Sequence, residues 1–244
     1  IGHKSIKLFK QQACFLIKIM SNSKSQTKIA VFGGGCFWCA EAVFQDLKGV
    51  INVTPGYAGG KKENPTYEEV SSSKTEHAEV IKIEYNPHEI SFNDLLKIFF
   101  ATHDPTSLNR QGNDIGTQYR SIILYTDKKQ KQEAEDFIET LKNSIDKKIA
   151  TELKPLEKFY EAEEYHKKYY VKNPSAPYCE IAIEPKIEKV RKNFKELLKK
   201  EDSLAKNNDN TKNLSLELRR VAIDKGTEPP FIGKYLHNTE RGMY

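Results

Sequence analysis

The 244-residue chain has no long apolar run: its apolar patches reach about six residues, against the roughly 20 that a bilayer-spanning helix needs. A membrane span is therefore not expected. A cysteine framework is missing too. Cys14, Cys36, Cys39 and Cys179 are the only cysteines, too few and too scattered to staple a fold. Only Cys36 and Cys39 are closely spaced, and no second pair completes a structural zinc site, so no metal is expected. Charge of one sign is scarce. The 39 Lys and Arg exceed the 34 Asp and Glu by a net +5, and the lysines are interleaved with acids. That excludes the concentrated basic stripe of a nucleic-acid-binding protein. Tryptophan is nearly absent, Trp38 being the single one.

What is present suits a soluble globular protein. A hydrophobic share of 38% is enough for a core, and the length allows one good-sized domain with a smaller piece attached. Residues 1–26 read as a basic N-terminal extension or leader remnant: Lys4, Lys7 and Lys10 precede a partly apolar stretch from Cys14 to Met20, interrupted by Lys18. A domain is expected over 27–200. From Glu201 to Asn213 nearly every residue is polar, as in a linker, and 214–244 forms a further short segment too small for a core of its own.

Within 27–200 the pattern alternates. Lys28 to Phe32 is a short apolar strand that stops at Gly33-Gly34-Gly35. A helix follows, with Cys36, Cys39, Ala40, Val43, Phe44 and Leu47 on one stripe, so both cysteines face inward on its first turns. Strands are predicted over Gly49–Tyr57, His77–Tyr85, Ser121–Tyr125 and Ala150–Leu153. Helices are predicted from a Ser91 cap to Thr102, from Asp127 to Ile145, and over Ala162–Lys172 and Pro185–Lys200. This order implies an α/β protein, an α+β two-layer sandwich with a ferredoxin-like mixed or antiparallel sheet and helices packed on it.

The reactive centre is Gly33-Gly34-Gly35-Cys36-Phe37-Trp38-Cys39. A helix N-terminus presents free N–H groups and positive dipole, which stabilise a thiolate and lower a thiol's pKa. A cysteine three residues on lies within one turn and can condense with an oxidised Cys36. Glu79 shares a strand face with Ile81 and Ile83, so burial should raise its pKa and keep it a neutral acid able to protonate a substrate oxygen. Trp38 is expected to form an apolar wall beside the thiol.

Residues 29–39 (IAVFGGGCFWC) resemble the signature of the peptide methionine sulfoxide reductase A family. Gly56-Tyr57-Ala58-Gly59-Gly60, Asn64-Pro65-Thr66-Tyr67, His77-Ala78-Glu79-Val80, His103-Asp104-Pro105, Arg110-Gln111-Gly112-Asn113-Asp114, Gly116-Thr117-Gln118-Tyr119-Arg120-Ser121 and Tyr165-His166 continue the likeness in order. The resemblance covers about 28–195. It implies a reductase of the S epimer of methionine sulfoxide, free or in oxidised proteins, acting in repair of oxidative damage. Cys36 would be the nucleophile, Glu79 the acid, and Tyr67 and Tyr119 the hydrogen-bond donors to the sulfoxide oxygen. Asp114 would position the site, Phe37 and Trp38 would hold the methyl group, and His166 would line the substrate groove. Cys39 would resolve the Cys36 sulfenic acid as a disulfide, and Cys179 would be a core cysteine or a second relay. No cofactor is implied, only external thioredoxin or another dithiol as reductant. A cytoplasmic monomer is expected, with export or envelope association the alternative if residues 1–20 are a leader remnant.

The segment 214–244 resembles the opening of a methionine sulfoxide reductase B domain, through Gly226-Thr227-Glu228-Pro229-Pro230-Phe231, Gly233, Tyr235 and Gly242-Met243-Tyr244. That family continues with zinc-binding cysteine pairs and a catalytic cysteine, and none of these is present here. The resemblance implies the front part of a bifunctional A–B fusion, without B activity in this chain. Two rival readings use the same Cys-x-x-Cys differently. A thioredoxin-type thiol–disulfide oxidoreductase needs no Glu79 and should reduce disulfides directly. A catalytically idle interaction module should survive loss of Cys36.

Overall fold

The computed structural model describes residues 27–199. The extension at 1–26 and the segments expected over 201–213 and 214–244 lie outside the described residues. The framework is β1 (Lys28–Gly33), α1 (Phe37–Gln45), β2 (Val50–Ala58), a short α2 (Tyr67–Ser71), β3 (Ala78–Tyr85) and α3 (Phe92–Thr102). A hairpin of β4 (Arg110–Gln111) and β5 (Asp114–Ile115) precedes β6 (Ile122–Tyr125), α4 (Lys128–Lys142), β7 (Glu152–Pro155) and β8 (Phe159–Glu161). A single turn α5 (Tyr169–Lys172) and α6 (Glu184–Asn193) complete it.

One six-stranded sheet runs in the order β7-β6-β1-β3-β2-β8. Its middle four strands, β6-β1-β3-β2, pair antiparallel, with α1 and α3 crossing between them, which is the ferredoxin-like split βαβ arrangement. β7 adds a parallel edge and β8 an antiparallel one. The α+β sandwich read from the sequence is the fold observed.

The strand pleat divides β3 between two cores. Ile81, Ile83 and Tyr85 join Phe32, Phe44, Leu95, Leu96 and Phe99 under the helices. Ala78 and Val80 join Val31, Ala58, Ile122 and Leu124 on the other face, where Leu156 and Phe159 cover them. Phe32 stacks on Phe99 at 4.9 Å, and such aromatic pairs add about 0.5–1.5 kcal/mol beyond their buried area. The Ser91 cap of α3 is present as a reciprocal box, Asp94 N–H donating to Ser91 Oγ at 3.1 Å and Ser91 N–H to Asp94 Oδ2 at 3.3 Å.

Two predicted helices differ. Ala162–Lys172 is broken into a 3-10 turn at Glu164–His166 and the single turn α5, with Lys168 at φ +55 between them. Side chains from elsewhere hold this stretch out of helical register. Glu163 accepts from the Tyr67 amide and the Tyr57 hydroxyl, each at 2.8 Å, and Glu41 accepts from the Lys168 amide at 2.8 Å. The second, Pro185–Lys200, begins as a π turn at Cys179–Ile183 and leaves the helix at Phe194. There the backbone turns to pair with the end of α1, Lys48 N–H donating to Leu197 O at 2.8 Å and Lys199 N–H to Asp46 O at 2.9 Å. The helix from Asp127 also stops earlier than predicted, at Lys142.

Candidate active site

β1, in the middle of the sheet, delivers the glycine run to the start of α1. A Cβ on Gly33 would lie 2.7 Å from the Glu79 carbonyl oxygen, so β1 and β3 approach closely only because no side chain stands there. Gly35 has φ +96, a backbone conformation open to glycine, and it turns the chain into α1. Cys36 is the N-cap residue of α1, and Cys39 closes the first turn by donating its amide to the Cys36 carbonyl at 3.2 Å.

Glu79 reaches the same helix start from β3. Its side chain is buried, and Oε2 accepts from the Phe37 amide at 3.0 Å. Burial pushes its carboxyl up to about 8, helped by the nearby charges of Asp114 and Cys39 and opposed by the Phe37 hydrogen bond. The rise expected from the strand's apolar face is therefore present. At neutral pH the group is mainly a protonated acid.

The thiols behave differently from the expectation at the helix start. Burial, then the Cys39 hydrogen bond and the Glu79 charge, hold Cys36 above the ordinary thiol range. The Phe37 amide, the first free donor of α1, goes to Glu79, which removes the main stabilisation a thiolate would take from this terminus. Cys39 moves the other way, down to about 7, chiefly through the hydrogen bond from the Cys36 thiol, with Lys186 and Tyr178 assisting against burial. The pair thus concentrates its negative charge on the second sulfur in the resting protein.

An aromatic wall flanks the thiols. Trp38 donates Nε1–H to His166 Nδ1 at 3.1 Å, and its ring lies on Tyr169 with centroids 3.6 Å apart and planes 6° from parallel. His166 is buried between Phe37 and Tyr67, at centroid distances of 5.0 and 4.4 Å. Because Nδ1 accepts, the ring's proton sits on Nε2, which has no hydrogen-bond partner and lies 4.0 Å from Glu163 Oε2. Burial lowers the pKa of His166 and keeps it neutral. Tyr67 and Tyr119 are half-buried, and both phenols are raised by burial and by the charges of Glu79 and Cys36, which sets them around those two groups.

The sequence-derived residues Cys36, Glu79, Cys39, Tyr67, Asp114, Tyr119, Phe37, Trp38 and His166 thus come together around one helix start. Sequence reasoning missed Tyr178, whose hydroxyl donates to Asp114 Oδ2 at 3.0 Å and lies 3.8 Å from Cys39 Sγ. Its signal was its place beside Cys179. Glu41 was also missed; a glutamate four residues after Phe37 falls on the inward stripe of α1. Cys179 is fully buried and donates its thiol to the Asn173 carbonyl at 3.2 Å, the surroundings of a core cysteine. Among the described residues, no group of three or more His, Cys, Asp and Glu could hold a metal ion, and no helix is long and apolar enough to cross a membrane.

Comparisons with known proteins agree in one direction. The sequence model of a family described as peptide methionine sulfoxide reductase matches residues 28–198. A peptide methionine sulfoxide reductase from Sulfolobus acidocaldarius is 55% identical over 167 residues, covering 68% of this chain and 95% of the relative. Its namesake from Acinetobacter baumannii strain AYE is 56% identical over 170 residues, covering 70% and 98%. The solved structure of methionine sulfoxide reductase A of Corynebacterium diphtheriae superposes with a TM-score of 0.61 at 35% identity, covering 64% of this chain and 80% of that one.

Proposed function

The chain belongs to the peptide methionine sulfoxide reductase family, and from that premise we propose that it reduces the S epimer of methionine sulfoxide, free and in oxidised proteins, at Cys36. The observation that carries the assignment of roles is Glu79: an acid kept protonated to about 8, hydrogen-bonded to the residue next to Cys36. Thiol–disulfide exchange has no oxygen to protonate, whereas a sulfoxide oxygen must be protonated as it leaves sulfur.

Phe37 and Trp38 receive the substrate methyl group, with His166 and Tyr169 fixing the Trp38 plane. Tyr67 and Tyr119 hydrogen-bond the sulfoxide oxygen, and Glu79 gives it a proton. That draws electrons from sulfur and exposes it to attack by Cys36 Sγ. The neutral Glu79 also removes the carboxylate charge that opposes ionisation of Cys36. The protonated oxygen passes from the substrate sulfur to Cys36 Sγ as the S–O bond of the sulfoxide breaks and the thioether departs; the Cys36 thiol proton replaces the one Glu79 gave, and Cys36 is left as a sulfenic acid. Cys39 then attacks Cys36 Sγ, an S–S bond forms, an S–O bond breaks, and water leaves. An external dithiol of the thioredoxin class restores both thiols by exchange. No cofactor or metal takes part. Asp114 orients this side of the pocket through Tyr178.

We take 27–200 as the reductase A domain, working as a monomer in the cytoplasm. The preceding 1–26 is a basic extension, 201–213 a linker, and 214–244 the opening of a reductase B domain by its sequence resemblance. The test of the central assignment is methionine release from each sulfoxide epimer by wild-type protein and by Cys36→Ser with a dithiol present. Wild type should consume the S epimer alone, and Cys36→Ser neither. Turnover by Cys36→Ser, or consumption of the R epimer at a similar rate, would overturn the proposal.

A further inference from the structure

Tyr178 is the one hydroxyl among the described groups hydrogen-bonded both to a thiol of the pair and to a carboxylate. Its OH proton is committed to Asp114 Oδ2 at 3.0 Å, because a carboxylate can only accept. While Cys39 is protonated and Tyr178 donates to Asp114, the remaining contact, 3.8 Å from Cys39 Sγ, has the thiol as donor to the phenol oxygen; once Cys39 is ionised the phenol can donate instead. Cys39 has a second acceptor, the Ala182 carbonyl at 3.8 Å, but that oxygen leads nowhere. The phenol is held in place by the edge of Trp38, at a centroid distance of 5.7 Å and 79° between planes. Asp114 sits half-buried at the start of β5, next to the exposed Ile115, so it borders solvent. The line Cys39 S–H to Tyr178 O–H to Asp114 carboxylate therefore runs from a thiol 2% exposed to the surface.

We propose that Tyr178 and Asp114 form a proton exit that activates the resolving thiol Cys39, making Tyr178 a catalytic residue of disulfide formation. The inference rests on the sulfenic acid reading given above. As Cys39 Sγ bonds to Cys36 Sγ, its proton passes to the Tyr178 oxygen while the Tyr178 proton passes to Asp114. The S–O bond of the Cys36 sulfenic acid breaks, and the departing oxygen takes one proton from solvent and leaves as water. Asp114 returns its proton to solvent, so Tyr178 and Asp114 end unchanged and the net products are one disulfide and one water. No further oxidant or reductant enters. The need for such a path is local: Cys39 is 2% exposed, and conversion of Cys36 to a sulfenic acid removes the thiol hydrogen bond that chiefly lowers Cys39 in the resting protein.

The test separates two clocks in one single-turnover reaction with methionine-S-sulfoxide: methionine release, and disappearance of the sulfenic acid trapped by a 1,3-dione and read by mass. In Tyr178→Phe, which keeps the ring against Trp38, disulfide formation at pH 7 should slow about 100-fold relative to methionine release. Raising the pH to about 9.5 should restore much of that rate, because the thiol then ionises without help. A structural role would give no such rescue. Wild-type protein should also show a solvent deuterium isotope effect above about 2 on disulfide formation, a readout that stands even if the variant fails to fold. Equal ratios of the two clocks in wild type and Tyr178→Phe, or an isotope effect near 1, would overturn the exit. Methionine release followed by a disulfide at another pair would overturn it together with the resolving role of Cys39. Absence of methionine release from wild type would overturn the parent reading, and the exit with it.

Discussion

The amide of Phe37 donates to Glu79 Oε2 at 3.0 Å across 42 residues of sequence. This one hydrogen bond fixes the acid to the first turn of α1, beside Cys36, the proposed nucleophile. It also uses the amide that would otherwise favour a resting thiolate at Cys36. On the proposed mechanism, reactivity comes with substrate, when the proton of Glu79 engages the sulfoxide oxygen.

Glu79→Gln should separate activity from stability. The amide can still accept from Phe37 but has no proton to give, so kcat/KM should fall at least about 100-fold. Stability should move the other way. The folded carboxyl titrates near 8 rather than at its ordinary 4.5, so between those pH values the native state holds a proton that the unfolded chain has lost. Wild-type stability should then decline as pH rises from 4.5 to 8, by at most on the order of 5 kcal/mol, and the variant should lose that slope. Thermal melts of both proteins across this range check the sign. Wild-type turnover should lose its acid as pH passes about 8, giving the alkaline limb of the pH–rate profile.

The sequence showed this pair because both halves obey a period. Glu79 alternates with Ile81 and Ile83 on β3, and the cysteines fall on the apolar stripe of α1. The longer strands and helices of the framework were read from the same periodicities, while the short β4, β5 and β8 were not. Glu163 and Glu41 were not legible in this way. Each acts by binding backbone amides of remote segments, and those bonds broke the helix that composition favoured over Ala162–Lys172. Tyr178 was hidden for a related reason: the π turn that follows it, not a regular repeat, sets where its hydroxyl points. The thiol order also escaped the sequence, since it depends on which amide Glu79 captures.

Glu41 should control the aromatic wall without touching substrate. It is buried in α1 and accepts from the Lys168 amide, which sets the following Tyr169 flat against Trp38. Glu41→Ala should free that turn and raise KM about tenfold with a smaller change in kcat, because remote positioning mostly alters binding here. Trp38 is the only tryptophan, so its fluorescence reports the unstacking directly. An unchanged emission spectrum with a raised KM would contradict this route.

The cysteine variants should part cleanly. Cys39→Ser should complete one methionine release and then accumulate the Cys36 sulfenic acid, with steady-state turnover down by at least about 100-fold. Cys179→Ser should keep the Cys36–Cys39 disulfide and most of its turnover, since Cys179 spends its thiol on the Asn173 carbonyl inside the core. Mass spectrometry of trapped intermediates under non-reducing conditions distinguishes the two.

The most direct test of the whole account is single-turnover reduction of methyl p-tolyl sulfoxide, resolved by enantiomer, with thiol counting and peptide mapping on the same sample. Loss of the S form alone is expected, accompanied by loss of both thiols of the pair and a disulfide linking Cys36 to Cys39. Folded, fully reduced protein that consumes neither enantiomer would contradict the account.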